Sequence, residues 1–239
     1  MCLSSDKLTL SIEKDWTLRY SGIGSKIIHM TSQTPTTGDR RAPRYDGVEN
    51  RRRALEAALD VFSQLGYEAA STRMIAARAG IEQGHLAYYF PSKMNLWKQV
   101  VETFAQAAEQ RLREQLALHG ETDAATTARA VLPLFLRSLA DNPRLTRLML
   151  QEFSVSSERS AWLAEHFAKP VWSLLAPLFM RLQRDGHFPG TPPEIAYFSL
   201  VGSALITFGN RDLIEQFSGA DTGSADWIDA AIAHMLRDF

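Results

Sequence analysis

The 239-residue chain has little cysteine, no long apolar run and almost no net charge. Its one cysteine, Cys2, excludes an internal disulfide and a cysteine-built zinc site, and it suits a reducing compartment. The longest weakly polar run, Ile195 to Gly209, is shorter than the roughly 18 apolar residues of a membrane span, and Ser and Thr interrupt it. No His, Asp or Glu spacing suggests a metal site, no Ser or Cys motif suggests a nucleophile, and no glycine loop is built to cradle phosphate. No catalytic residue, metal or cofactor is therefore expected. With 45% hydrophobic and 22% charged residues, the composition is that of a soluble globular protein of one or two domains. A cytoplasmic protein with no membrane partner follows.

The net charge of −1 hides an uneven distribution. Residues 40–98 carry ten basic and six acidic side chains, whereas residues 99–239 carry twelve basic and seventeen acidic. That split reads either as one module that meets a polyanion or as chance variation in solvated charge. Residues 1–45 read as an extension or arm. Met1 to Met30 shows no helical stripe and no signal-peptide layout, and Thr31 to Arg44 has the composition of a flexible segment. Met30 is the expected natural start. Arg40, Arg41 and Arg44 either add phosphate or minor-groove contacts or are simply solvated.

From Glu49 the pattern is helical, and no convincing strand alternation follows residue 45, so the fold class is all-α. Leu55, Ala58, Leu59, Phe62 and Leu65 mark one buried face, and Gly66 signals a stop. Ser71 caps a short second helix over 72–79, which Gly80 closes. A third helix over about 83–90 ends before Pro91, and Ser92 caps a long fourth carrying Leu96, Val100, Phe104, Ala107 and Leu112. Further helices are expected near 122–140, 143–154, 157–168, 170–185, 192–216 and 224–238, with kinks or breaks at Pro133 and Pro177.

The informative stretch is Ser71 to Lys93, two short helices around a tight turn. Ile75, Ala76 and Ala79 can face Ile81, Leu86 and Phe90, which leaves Gln83, His85, Ala87, Tyr88 and Tyr89 outward. Such a unit presents its second helix to the DNA major groove. From roughly Arg51 to Val101 the chain resembles the TetR/AcrR family of bacterial transcriptional regulators. The resemblance rests on Phe62-Ser-Gln-Leu-Gly-Tyr67, Ser71-Thr-Arg-Met-Ile-Ala76, Ala79-Gly-Ile81, Gly84, Leu86, Tyr89-Phe-Pro-Ser-Lys93 and Leu96, in that order and spacing.

The resemblance implies a helix-turn-helix domain over 46–95 and a helical regulatory and dimerisation domain over 96–239. It implies that Thr72 and Arg73 meet phosphate or a base edge, that Gln83 and His85 read bases, and that Gly84 lets the backbone approach DNA. Tyr88 or Tyr89 would bond phosphate, the other being mostly packing, and Lys93 would pair with phosphate. Two positions depart from the family: Ala87 replaces a large polar residue, and Glu82 replaces the usual Ser cap and brings a charge that repels phosphate.

The C-terminal half is less diagnostic. Ala196, Leu200, Gly202, Ser203 and Ala204, opposite Trp227, Ile228, Ala231 and Met235, are either a dimer surface or one chain's own core. Candidate ligand contacts are Phe104, Met149, Phe153, Trp162, His166 and Trp172, with Phe135 and Phe179 alongside, and plain core packing is the competing reading. The resemblance implies a ligand-responsive repressor that binds a palindromic double-stranded DNA operator as a homodimer, its half-sites about 34–36 Å apart or a multiple of that. A small-molecule effector would swing the fourth helix and so change the separation of the two recognition helices. An all-α carrier or enzyme without a DNA role, and a DNA binder without sequence preference, are the alternatives.

Overall fold

The computed structural model describes residues 45–120, 122–237 and 239. The expected start at Met30, the arginine arm and the extension to residue 45 concern segments outside the described side chains. Eleven α-helices and no strand occur among the described residues.

Helix α1 (Tyr45–Ala69) begins a turn earlier than its apolar stripe predicts and is interrupted at the expected Gly66, whose φ of 73° and ψ of 167° are non-helical. Ala54, Leu55, Ala58, Leu59 and Phe62 form its buried face. Leu65 does not join them; it is 46% exposed, past the end of that stripe. Helix α2 (Thr72–Ala79) has the expected bounds, because both ends are chemically fixed: the Ser71 side chain accepts the Met74 N–H, and Gly80 adopts the left-handed conformation. Helix α3 (Gln83–Tyr89) follows, and then α4 (Lys93–His119), capped by Ser92, which accepts the Asn95 N–H. The buried stripe of α4 is Leu96, Trp97, Val100, Val101, Ala105 and Leu112. Ala107, expected within it, is exposed.

The remaining helices are α5 (Ala124–Ala140), α6 (Pro143–Phe153), α7 (Glu158–Leu163), α8 (Lys169–Arg184), α9 (Pro193–Gly209), α10 (Arg211–Ser218) and α11 (Ala225–Met235). A π-helical turn, Ala164–Ala168, joins α7 to α8, so 158–184 runs as one helical path rather than breaking near 169. Neither Pro133 nor Pro177 ends its helix; α5 and α8 continue through them, held by buried neighbours such as Leu132, Leu136, Leu175 and Phe179. The single helix expected over 192–216 is two helices. The helix ends at Asn210, whose φ of −117° and ψ of 34° are non-helical, and both its backbone N–H and its side-chain amide, the latter at 2.9 Å, donate to the Ile206 carbonyl.

Two apolar cores form. One joins α1, α2, α3 and the first turns of α4 with Leu145, Leu148 and Met149 of α6, Leu163 of α7 and Leu205 of α9. The other gathers α5, α8, α9 and α11 with Leu112 near the end of α4. The boundary expected between residues 95 and 96 thus falls inside α4, which is built into both cores.

Helices α6 and α9 meet at Gly209, where an added Cβ would lie 3.3 Å from the Arg147 Cα and 3.4 Å from its backbone N. Neither atom can swing aside as a flexible side chain could. Gly209→Ala is expected to lower stability by about 1–2 kcal/mol despite the better helix propensity of alanine, because overpacking outweighs it. Chemical denaturation of the two proteins measures the difference.

Candidate nucleic-acid interface

The three-helix head is closed from inside. Ile75, Ala76 and Ala79 of α2 and Leu86 of α3 are buried together with Phe90, so α3 is fixed by a single inward leucine and the residue that ends it. A helix of seven residues has little propensity to form alone, and this packing is what holds it. The consequence is an outward face on which Gln83, Gly84, His85, Ala87 and Tyr88 are all exposed, Tyr88 by 84%. Tyr89 is half-buried against the first core and makes edge contacts with Tyr88 and Phe90. Of the two tyrosines, Tyr88 is therefore the free one.

Arg73 is exposed in the first turn of α2 and Thr72 is half-exposed beside it. A Cβ at Gly84 would meet nothing within 4 Å, so the glycine leaves open surface at the start of α3. Gly80 is needed for its backbone: its φ is 64°, and the Arg53 guanidinium, 2.6 Å from where a Cβ would stand, is a flexible tip that could move aside. Glu82, at the N-cap of α3, makes no side-chain cap bond and is exposed.

Lys93 is placed differently from what the resemblance implies. Its ammonium donates to the Tyr67 carbonyl at 2.8 Å, to Ala70 at 3.0 Å and to Glu68 at 3.5 Å, and it lies 4.1 Å from the Tyr67 ring centroid. Its donors are spent on the exposed end of α1, which draws them inward and leaves none free for a phosphate in this arrangement. The same Tyr67 ring carries a second cation, the guanidinium of Arg159, at 4.0 Å. Arg159 donates to both oxygens of the buried Glu152 at 2.9 Å and pairs with Glu68 at 3.1 Å. Burial works against the Arg159 cation, but the bonds and charges of Glu152 and Glu68 outweigh it and hold its pKa above the ordinary value. Burial pushes the Tyr67 hydroxyl up, with Arg159 opposing. Nothing in the spacing of positions 67, 93, 152 and 159 marks this joint, because it is assembled only by tertiary packing.

A second joint ties the head to α6. Asp60 of α1 pairs with Arg78 of α2 and faces Arg144 of α6 at 3.8 Å, and Arg144 also pairs with Glu56 at 3.1 Å. Gln151 of α6 donates to the Ser63 carbonyl at 3.1 Å.

The six candidate ligand contacts do not form one site. Phe104 and Met149 line a cavity together with Phe135, but its free space is about 20 Å3, close to what one water occupies. Trp162 stacks on His166 with ring centroids 4.6 Å apart and meets the buried Trp97 edge-on. His166 is exposed and its Nδ1 lies 2.9 Å from the Trp162 carbonyl. Phe153 is 40% exposed, and Trp172 packs in the other core against Phe179 and Tyr197. Helical spacing marked the five apolar ones, and His166 was added as a polar group, but spacing does not say which core each one joins.

The dimer candidates are also redistributed. Ala196, Leu200, Ala204 and Ile228 are buried in this chain's own second core, with Trp227, Ala231 and Met235 packed partly against it. The outer stripe of α9 is instead Ile195, Phe198, Gly202 and Ile206, of which Ile195, Phe198 and Ile206 are 52%, 72% and 60% exposed. Leu213 and Phe217 of α10 are exposed as well. Burial on one face of α9 was legible; which apolar residues lay on the other face was not.

Residues 54–100 match the family described as bacterial regulatory proteins, tetR family. The HTH-type transcriptional repressor KstR of Mycolicibacterium smegmatis is 32% identical over 138 residues, 58% of this chain and 65% of its own length. The HTH-type transcriptional activator FasR of the same organism is 31% identical, over 53% of this chain and 57% of its own. The match therefore spans less than two thirds of either relative. Among solved structures, the fatty acid degradation regulator FadR from Bacillus halodurans superposes with a TM-score of 0.58 at 19% identity, covering 79% of this chain and 98% of the other, which shows a shared fold.

Glu82→Ser supplies the missing N-cap of α3 and is expected to stabilise the protein by about 1 kcal/mol. Thermal or denaturant unfolding of the full chain checks it.

Proposed function

Since residues 54–100 carry the N-terminal domain of the TetR family of bacterial regulatory proteins, we propose that this chain is a sequence-specific, DNA-binding transcriptional regulator. It acts in the cytoplasm as a homodimer on a palindromic double-stranded operator. The observation that carries this reading is the outward face of α3, where Gln83, Gly84, His85, Ala87 and Tyr88 are exposed while Leu86 and Phe90 anchor the helix from behind. Gln83 can bond adenine through both amide atoms, His85 can meet a base or phosphate acceptor, and Ala87 suits a thymine methyl. Arg73 and Thr72, with the Tyr88 hydroxyl, supply phosphate contacts that set register. Lys93 contributes by holding α4 to the end of α1, and Tyr89 by packing. KstR is named a repressor and FasR an activator; repression is the reading adopted for this chain.

A single α3 reads too few bases for useful selectivity, so a second copy belongs to the mechanism. We place it on the outer stripe of α9, where Ile195, Phe198 and Ile206 leave apolar surface in water, with Gly202 open at its centre. A small apolar effector would enter by parting Phe104, Phe135 and Met149, which line the narrow cavity against α4, and would thereby shift α4. The effector can act only to the extent that it favours the geometry that fits DNA poorly.

Three variants separate the roles in DNA titrations at several salt concentrations, using fragments selected from genomic DNA. Arg73→Ala is expected to weaken all sequences and reduce the salt slope by about one unit. Gln83→Ala should cost about 1–3 kcal/mol at the preferred site and little elsewhere. Lys93→Met should lower stability while leaving the salt slope unchanged. Failure of the wild-type protein to prefer any sequence would overturn the regulator reading. Phe198→Glu is expected to weaken dimerisation at least about tenfold, read by sedimentation equilibrium.

A further inference from the structure

Between the start of α6 and the α9–α10 turn lies a cleft of about 200 Å3, lined by Arg144, Arg147, Arg211, Asp212, Glu215 and Thr222 among others. It is smaller than the roughly 300–1,000 Å3 of a drug-sized site and suits a guest of few heavy atoms. Most of its polar groups are already partnered. Arg147 donates through Nε to the Gly209 carbonyl at 2.8 Å and pairs with Asp212 at 2.7 Å, and Arg144 pairs with Glu56. Glu215 accepts the hydroxyl of the fully buried Thr222.

Arg211 is the exception. It donates through Nη2 to the Ala140 carbonyl and rests 5.5 Å from the Phe208 ring centroid, but its buried Nε has no partner. Among the described residues no carboxylate lies within ion-pair distance of it; Asp141 and Glu215 act on it only from further away. A guanidinium stays charged, so a half-buried one that lines a cleft without a carboxylate partner is a standing cost that an anion beside it offsets.

We propose that this cleft is a binding site for a small anion carrying carboxylate or phosphate, seated over Arg211 and shared with Arg147 and Arg144. The planar guanidinium fork matches either group with paired hydrogen bonds. Asp212 is the guest's competitor: its side chain is 69% exposed at the Arg147 pair, held by one contact that an anion can displace. No DNA contact enters this inference, so it stands apart from the regulator reading.

The test is calorimetric titration of the full chain, without DNA, with inorganic phosphate and separately with succinate, at ionic strength held constant with chloride. Saturable binding of one anion per chain is expected for at least one of the two, and the anion that binds identifies the guest chemistry. Arg211→Met should weaken it by about tenfold or more. Asp212→Asn, which frees Arg147 without touching the core, should tighten it several-fold. The proposal is overturned if neither anion gives heat beyond the chloride control. It is equally overturned if Asp212→Asn leaves the affinity unchanged, whatever happens to the Arg211 variant.

Discussion

The head depends on the first two turns of α4 being locked into it. Leu96, Trp97, Val100 and Val101 are almost wholly buried in the first core, where α4 packs on α1, which at about 1.5–3 kcal/mol each for the aliphatic side chains is a large anchor for a short segment. Ser92 fixes where the helix starts, and Lys93 ties that start to the carbonyls that end α1. Short α3 has only Leu86 and Phe90 inside, so its orientation is inherited from these neighbours rather than set by itself. Helix α4 reaches α3 only through the core that both share with α1.

Polar contacts across the joint between head and remainder follow one pattern. Helix α6 reaches α1 at Glu56 and Asp60 through Arg144 and at the Ser63 carbonyl through Gln151; beyond it, Arg159 reaches Glu68 and Tyr67. The exposed pairs are each worth at most about 1 kcal/mol. Their value lies in direction, since several bonds at fixed spacing set the register of α6 along α1. The Glu152–Arg159 pair differs because the carboxylate is buried and both its oxygens are used. Removing one member would strand the other in a poorly solvated place.

Much of the head was legible in the sequence because its signals are local. Ser71 and Gly80 bound α2 through bonds within a few residues, and alternation of apolar and polar positions on α3 separates Leu86 from Gln83, His85 and Tyr88. The place of Lys93 was not legible, since a lysine at a helix start looks free until the chain's fold brings the end of α1 beside it. In the C-terminal half, period alone marked the apolar residues but not their destination. Ala196, Leu200 and Ala204 turned inward while Phe198 and Ile206 stayed out, and Phe104 and Trp172 joined different cores. The gathering of Arg144, Arg147 and Arg211 left no trace in composition, because these residues are far apart in sequence and meet by packing; the break at Asn210 is local, set by its own bonds to Ile206.

The missing side chain at Gly209 has a mechanical meaning. Where two backbones touch with nothing between them, as α6 and α9 do beside Arg147, neither can slide along the other without collision, and neither can be pushed closer. The contact therefore sets the least spacing that α6 and α9 can take beside Arg147, and the layers on either side of it inherit that spacing.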